Sequence, residues 1–246
     1  MMEIDAKRVR AVVAKELRDY RRKRSIVVAM VILPAIFLIQ PVLAVFLGSP
    51  SEPVGSYYSL PLLLLLLIPV ITPSTLAAYS VVGEREQGTL EPLLTTPIRR
   101  QEFILGKAAA VMIPTLALSY VVFGVFLGAV GLFANPVNAS AVFDQGPILL
   151  ALALLTPLLA GWAIVVGMAV SVRASEVRVA QQLGMIASFP PLGMVVLLGT
   201  NVIQASFTVA VLFALALAVI DALALRLVAR MFDRERLVTG AKAARS

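Results

Sequence analysis

The chain contains no cysteine and no histidine. Their absence excludes disulfides, thiolate chemistry, and haem and zinc sites of the usual kind. It also removes every Ser–His and Cys–His arrangement for nucleophilic catalysis. Charged residues make up only 14% of the sequence, against about 25% in soluble domains. A carboxylate-only metal site is left open by these absences, but nothing in the sequence suggests one, and none is expected. A phosphate-cradling loop needs two glycines five apart, the second followed by Lys and then Ser or Thr. Gly106-Lys107 is followed by Ala108, and position 101 is Gln. The chain is therefore expected to be no enzyme, to hold no cofactor and to bind no ATP by itself.

What the chain has in abundance is apolar residues, 60% of the total, with a mean hydropathy of +0.94. A soluble domain is about 45–50% apolar. All 21 Lys and Arg residues fall into four blocks: nine from Lys7 to Arg24, four from Arg85 to Lys107, then Arg173 with Arg178, and six from Arg226 to Arg245. Pairs of apolar runs separate the blocks. A cation at the centre of a membrane helix costs roughly 2.5–3.5 kcal/mol, and cytoplasmic loops collect Lys and Arg during insertion. The pattern predicts an all-α membrane protein with six transmembrane helices at about 26–47, 60–82, 108–132, 148–172, 183–203 and 205–228, with both termini cytoplasmic. The net charge of +7 sits beside these spans, where anionic lipid attracts each cation by about 1 kcal/mol. The expected partner of that charge is membrane lipid, with no nucleic acid. The first apolar run, Ile26 to Leu47, is far longer than the roughly 7–15 residues of a signal-peptide core.

Residues 1–25 are read as a cytoplasmic amphipathic interfacial helix. Val9, Val13, Leu17 and Tyr20 share one face with Val12 beside them, and Lys7, Arg10, Lys15, Arg18, Arg21 and Arg22 fill the rest. Residues 26–246 form the six-span membrane unit. Gly48 to Ser59 and Phe133 to Gln145 are expected to be external loops, and Asn138-Ala139-Ser140 in the second is read as a chance sequon. Span two carries Pro61, Pro69 and Pro73, and span five is broken by Pro190-Pro191; interior prolines kink helices and are tolerated where neighbours satisfy the freed carbonyls. Gly124 and Gly128 in span three make a small-xxx-small packing face, read as packing inside one subunit or, less readily, between subunits. Asp221 is the one carboxylate placed within a span. It lies about 24 Å down span six from its outer end and is read as an interfacial carboxylate paired with a neighbouring cation, or alternatively as a relay.

The informative polar stretch is 83–107. Thr89 can cap a short helix with Pro92 in its first turn, putting Leu90, Leu93 and Leu94 on one side. Thr96-Pro97 signals a helix restarting and running into span three. Exposed leucines on so small a unit call for a partner groove or dip into the lipid interface. Here the chain resembles the type 2 ABC exporter permeases. In that family a Glu-x-Glu-x-Gly-Thr-Leu-Glu-x-Leu-Leu-x-x-Pro stretch follows the second span. Glu84, Glu86, Gly88, Thr89, Leu90, Glu91, Leu93, Leu94 and Pro97 fill those positions, and Gly106-Lys107 closes the run. The one local departure is Pro92 after Thr-Leu-Glu. The resemblance extends to Lys15-Glu16-Leu17-Arg18 and to the six-span layout. It implies that a short cytoplasmic coupling helix, Gly88 to Leu94, seats on an ABC ATPase subunit, that ATP is bound by that partner, and that two ATPases serve two permeases, a homodimer or heterodimer. It further implies an exporter subunit in a prokaryotic plasma membrane. The uncharged spans lean toward an amphiphilic or hydrophobic substrate. The alternative is a secondary transporter or channel not driven by ATP.

Overall fold

The computed structural model describes residues 5–22, 24–48, 54–78, 82–83, 88, 99–174, 176–200 and 202–231. The described residues are almost entirely helical and contain no strand. In chain order the elements are α1 (Ala6–Arg22), α2 (Arg24–Phe46), α3 (Val54–Leu64), a 3-10 turn (Leu65–Leu67), α4 (Ile68–Ala78), α5 (Arg100–Phe133), α6 (Pro136–Phe143), α7 (Gly146–Arg173), α8 (Val177–Ser188), α9 (Pro190–Gly199) and α10 (Phe207–Met231). Four stretches are long and apolar enough to cross a membrane: Tyr57–Ser74, Gln101–Phe133, Gly146–Arg173 and Phe207–Val228. The pair α8 and α9, bent by 42°, makes a fifth if counted as one broken span. The remaining apolar run of the sequence is α2, whose apolar part Met30–Phe46 is shorter.

Both breaks have the same cause. Pro69 has no N–H to offer the Leu65 carbonyl, so the Ile68 N–H bonds it instead and the chain tightens into the 3-10 turn. Pro190 likewise cannot serve the Ile186 carbonyl, which takes the Phe189 N–H at 3.2 Å, and the helix bends there. The two broken spans meet at small residues. Ser74 Oγ on α4 donates to the Val70 carbonyl at 2.6 Å and lies 3.0 Å from Ser188 Oγ on α8. Gly167 of α7 lies against both: a Cβ there would come 2.8 Å from the Ala77 Cβ, and one on Gly184 would come 3.5 Å from the Gly167 Cα. Lipid offers apolar side chains no reason to leave it, so close van der Waals packing of small residues and interhelical hydrogen bonds must hold such a junction.

Span two is the centre of the bundle: 78% of Tyr57–Ser74 is buried, against 17% of the Phe207–Val228 window. Its Tyr58, Leu62 and Leu66 join Phe126, Leu155 and Leu159 in the main core. Gly124 and Gly128 behave differently from the intrasubunit reading. Both are exposed, and a Cβ on either would meet nothing within 4 Å, so α5 does not use this face to pack within the subunit.

The end of the bundle away from α1 is also more ordered than a loop reading suggests. Within 133–145 the chain forms α6, with Asn135 as its N-cap accepting from Val137 and Pro136 in its first turn. Ser59 Oγ donates to Gln145 Oε1 at 3.1 Å, and Asn138 Nδ2 donates to the Val45 carbonyl at 2.8 Å. Helix α3 begins at Val54, six residues before Leu60, because Tyr58 and Ser59 are buried and their helical backbone is held by that packing.

Candidate functional site

Segment 84–98 joins span two to span three, and the structure shows how its two ends are held. On the near side Val82 is fully buried with Ala174, Val177 and Ala180, and its backbone N–H donates to Ser171 Oγ at 3.1 Å. The segment therefore leaves the bundle from a point fixed to the end of α7 and the start of α8. Gly88 is an exposed turn residue with φ of +68°. A right-handed helix needs negative φ, so the helix that the resemblance places at Gly88 to Leu94 does not include Gly88. A side chain there would be strained by the backbone alone, since no atom lies within 4 Å of an added Cβ. Glu84, Glu86, Thr89, Leu90, Glu91, Leu93, Leu94 and Pro97 lie outside the described residues.

On the far side the chain enters α5 at Arg100, after Arg99 as N-cap, two residues beyond Pro97. Glu102 occupies the third helical position and turns back, its Oε2 accepting the Arg99 N–H at 2.9 Å. This is the acidic half of a capping box. Its other oxygen, Oε1, accepts the Asp5 N–H at 3.0 Å. Asp5 is itself the cap of α1, accepting the Lys7 N–H on Oδ1 at 2.8 Å. One buried carboxylate thus satisfies backbone donors at the starts of two helices, with Arg8 Nη1 3.6 Å from Oε2. Helix α5 is 34 residues long, about 50 Å, against a hydrocarbon core of about 30 Å, and the charges Arg100, Glu102 and Lys107 in its first two turns leave the uncharged stretch 108–133 as the part suited to span it. There the Arg99 and Asp5 backbone N–H groups hold the Glu102 carboxyl below the usual carboxylate range.

A turn further along, α1 and α5 are in direct contact. A Cβ on Gly106 would come 2.7 Å from the Val12 Cβ. Lys107 Nζ donates to Glu16 Oε1 at 3.0 Å, with side-chain exposures of only 3% and 10%, and lies 5.0 Å from the centroid of the Phe103 ring. Lys15 reaches the same Glu16 oxygen at 3.5 Å from a solvated position. Val12 joins Phe103, Ile104 and Leu76 in a second core cluster, while Lys7, Arg10, Lys15, Arg18, Arg21 and Arg22 remain exposed. The centre of the packed face is thus Val12 with Glu16, a quarter-turn from the Val9–Val13–Leu17 line read from the sequence. Sequence reasoning noted Glu16 and Lys107 separately and did not join them.

Among the described residues Asp221 is not paired with the neighbouring cation read for it. Its Oδ1 is buried without a hydrogen-bond partner, and its Oδ2 lies 2.9 Å from where a Gly161 Cβ would stand. Among the described residues there is no group of acidic side chains able to hold a metal ion.

These features define a multi-pass helical membrane protein whose polar architecture is concentrated at one end of the bundle, around a connection between two spans. The chain belongs to the ABC-2 family of transporter proteins: the model of that family, described as "ABC-2 family transporter protein", matches residues 13–190. The match takes in most of α1, the 84–98 segment and the bundle through Ser188. No curated protein matches the chain. Membership makes the chain the permease, a membrane subunit of a class generally not catalytic itself, and implies association with an ABC ATPase subunit.

Proposed function

We propose that this chain is the permease of an ATP-driven exporter in a prokaryotic plasma membrane. In this reading it crosses the bilayer six times with both termini and segment 83–107 in the cytoplasm, and α2 supplies the first crossing. The observation that carries the reading is the family match spanning a polar segment moored at both ends to membrane helices. A short helix within it, bearing Leu90, Leu93 and Leu94 with Glu84, Glu86, Thr89, Glu91 and Pro97 around them, seats in a groove of the ATPase subunit. Two ATPases and two permeases make the working transporter. ATP closes the ATPase pair, the moored segment is displaced, and the broken spans two and five reorient around a central pathway. The cargo is an amphiphilic or hydrophobic molecule, because the spans read from the sequence, 26–47, 60–82, 108–132, 148–172, 183–203 and 205–228, carry a carboxylate only at Asp221.

The experiment is co-purification of the permease with its ATPase subunit from membranes. Leu90→Asp and Glu91→Arg each abolish that association while membrane insertion and yield are unchanged. Normal recovery of the ATPase with either variant refutes the docking role.

A further inference from the structure

Three contacts fasten α1 to the first two turns of α5: the Asp5 N–H on Glu102, Val12 against Gly106, and the buried Glu16–Lys107 ion pair. We propose that Glu16, Lys107 and Glu102 are positioning residues that make α1 and the base of α5 one rigid lever, carrying displacement of segment 84–98 across to α2. The proposal rests on the permease reading above.

A buried ion pair is a poor stabiliser, because apolar residues of similar volume often serve as well or better; its best-attested use is to fix register. Here it fixes the register of two helices beyond the point where apolar Val12 meets Gly106, and packed apolar helices slide over one another by shear. The pair sits 91 residues apart in sequence, so it contributes nothing within either helix and acts only between them. Glu102 adds a second polar point at the other end of the contact, and Val12 closes on Gly106 between the two. Three points determine an orientation. The lever has an input and an output. Arg99, which caps α5, directly follows segment 84–98, so any displacement of that segment turns the first residues of α5. Helix α1 ends at Arg22 and α2 begins at Arg24, so a turn of α1 is delivered to the next helix with almost no slack.

The native chain has no cysteine, which allows nitroxide labels to be placed at will. Cysteines at the exposed Arg18 and Gln101 report on α1 against α5, and cysteines at Arg18 and the exposed Leu223 report on α1 against the bundle. Distances are measured by double electron–electron resonance on the permease alone and on its complex with the ATPase subunit, with and without magnesium and a non-hydrolysable ATP analogue. The Arg18–Gln101 distance is expected to be single, narrow and unmoved by nucleotide, while the Arg18–Leu223 distance shifts. In the Glu16→Leu/Lys107→Met variant, whose apolar pair preserves folding, the first distance broadens and the nucleotide shift of the second is lost. Lys107→Arg, which keeps the cation, retains both. An equally narrow Arg18–Gln101 distance in the Glu16→Leu/Lys107→Met variant overturns the proposal. So does a nucleotide-dependent Arg18–Gln101 distance in the native pair, or an unmoved Arg18–Leu223 distance in a complex that hydrolyses ATP. Failure of the ATPase to co-purify with the native permease sinks the permease reading instead, and leaves the distances in the isolated chain to judge the ion pair.

Discussion

At the scale of single residues, the carboxylates divide by what surrounds them. Glu102 is surrounded by donors: two backbone N–H groups and the Arg8 guanidinium. Its carboxyl is held below its ordinary value of 4.5, so the stability it contributes is present above that value and is lost as pH falls through the lowered folded-state value. The melting temperature of the purified permease is therefore expected to fall as the medium is acidified below about pH 4.5, and Glu102→Gln is expected to melt lower at neutral pH and lose that part of the acid dependence. An unchanged neutral-pH melting temperature for Glu102→Gln would contradict the two-helix cap. Asp221 is the opposite case, a carboxylate oxygen buried with no donor. Replacing a carboxylate that has no donor by a neutral amide breaks no hydrogen bond there, so Asp221→Asn is expected to melt no lower than the native chain. A clear drop in its melting temperature would show that the carboxylate has a stabilising partner. Neither role was legible in the sequence. Glu102 escapes a cap search because the N-cap is Arg99 and not Ser, Thr, Asp or Asn. The Glu16–Lys107 pair joins positions 91 apart, and nothing local in either stretch points to the other.

At the scale of elements, proline is the most readable feature. Pro69 and Pro190 each withhold an N–H, and the helix tightens in the turn before Pro69 and breaks at Phe189, just before Pro190. Segments that looked like loops were harder to read. Asn135-Pro136 is a good cap followed by a good first-turn residue, and that signal could have found α6. The start of α3 at Val54 has no comparable signal, since Gly55 and Ser56 favour a loop and the burial of Tyr58 overrides them. Glycines separate by the space around them. Gly167→Val is expected to destabilise by about 1–3 kcal/mol through overpacking, because even a Cβ would come 2.8 Å from Ala77. Gly124→Leu, whose side chain enters open space, is expected to leave the stability of the subunit within about 0.5 kcal/mol of native. Thermal unfolding monitored by the single tryptophan, Trp162, compares the two; equal effects would be inconsistent with this packing.

At the scale of the whole molecule, burial is uneven. Span two is enclosed, while most of α10 and of the Gln101–Phe133 stretch faces outward, with Val121, Val125, Leu132, Leu215 and Leu223 exposed. A large outward apolar surface is what lipid and neighbouring subunits require, and the membrane class was legible from the four cation blocks alone. Orientation is testable on the same cysteine-free background. Thr95→Cys is expected to react with an impermeant maleimide in inside-out vesicles and not in intact cells, and Val202→Cys in intact cells; the reverse pattern would invert the topology.

The moorings at Val82 and Arg99 belong to different helices, one tied to Ser171 and the other to Glu102. A load applied between two such anchors draws them toward each other, so it acts on α7 and α5 together and not on one helix alone. Inserting glycines between the anchors would slacken that pull while leaving the proposed docking side chains unchanged.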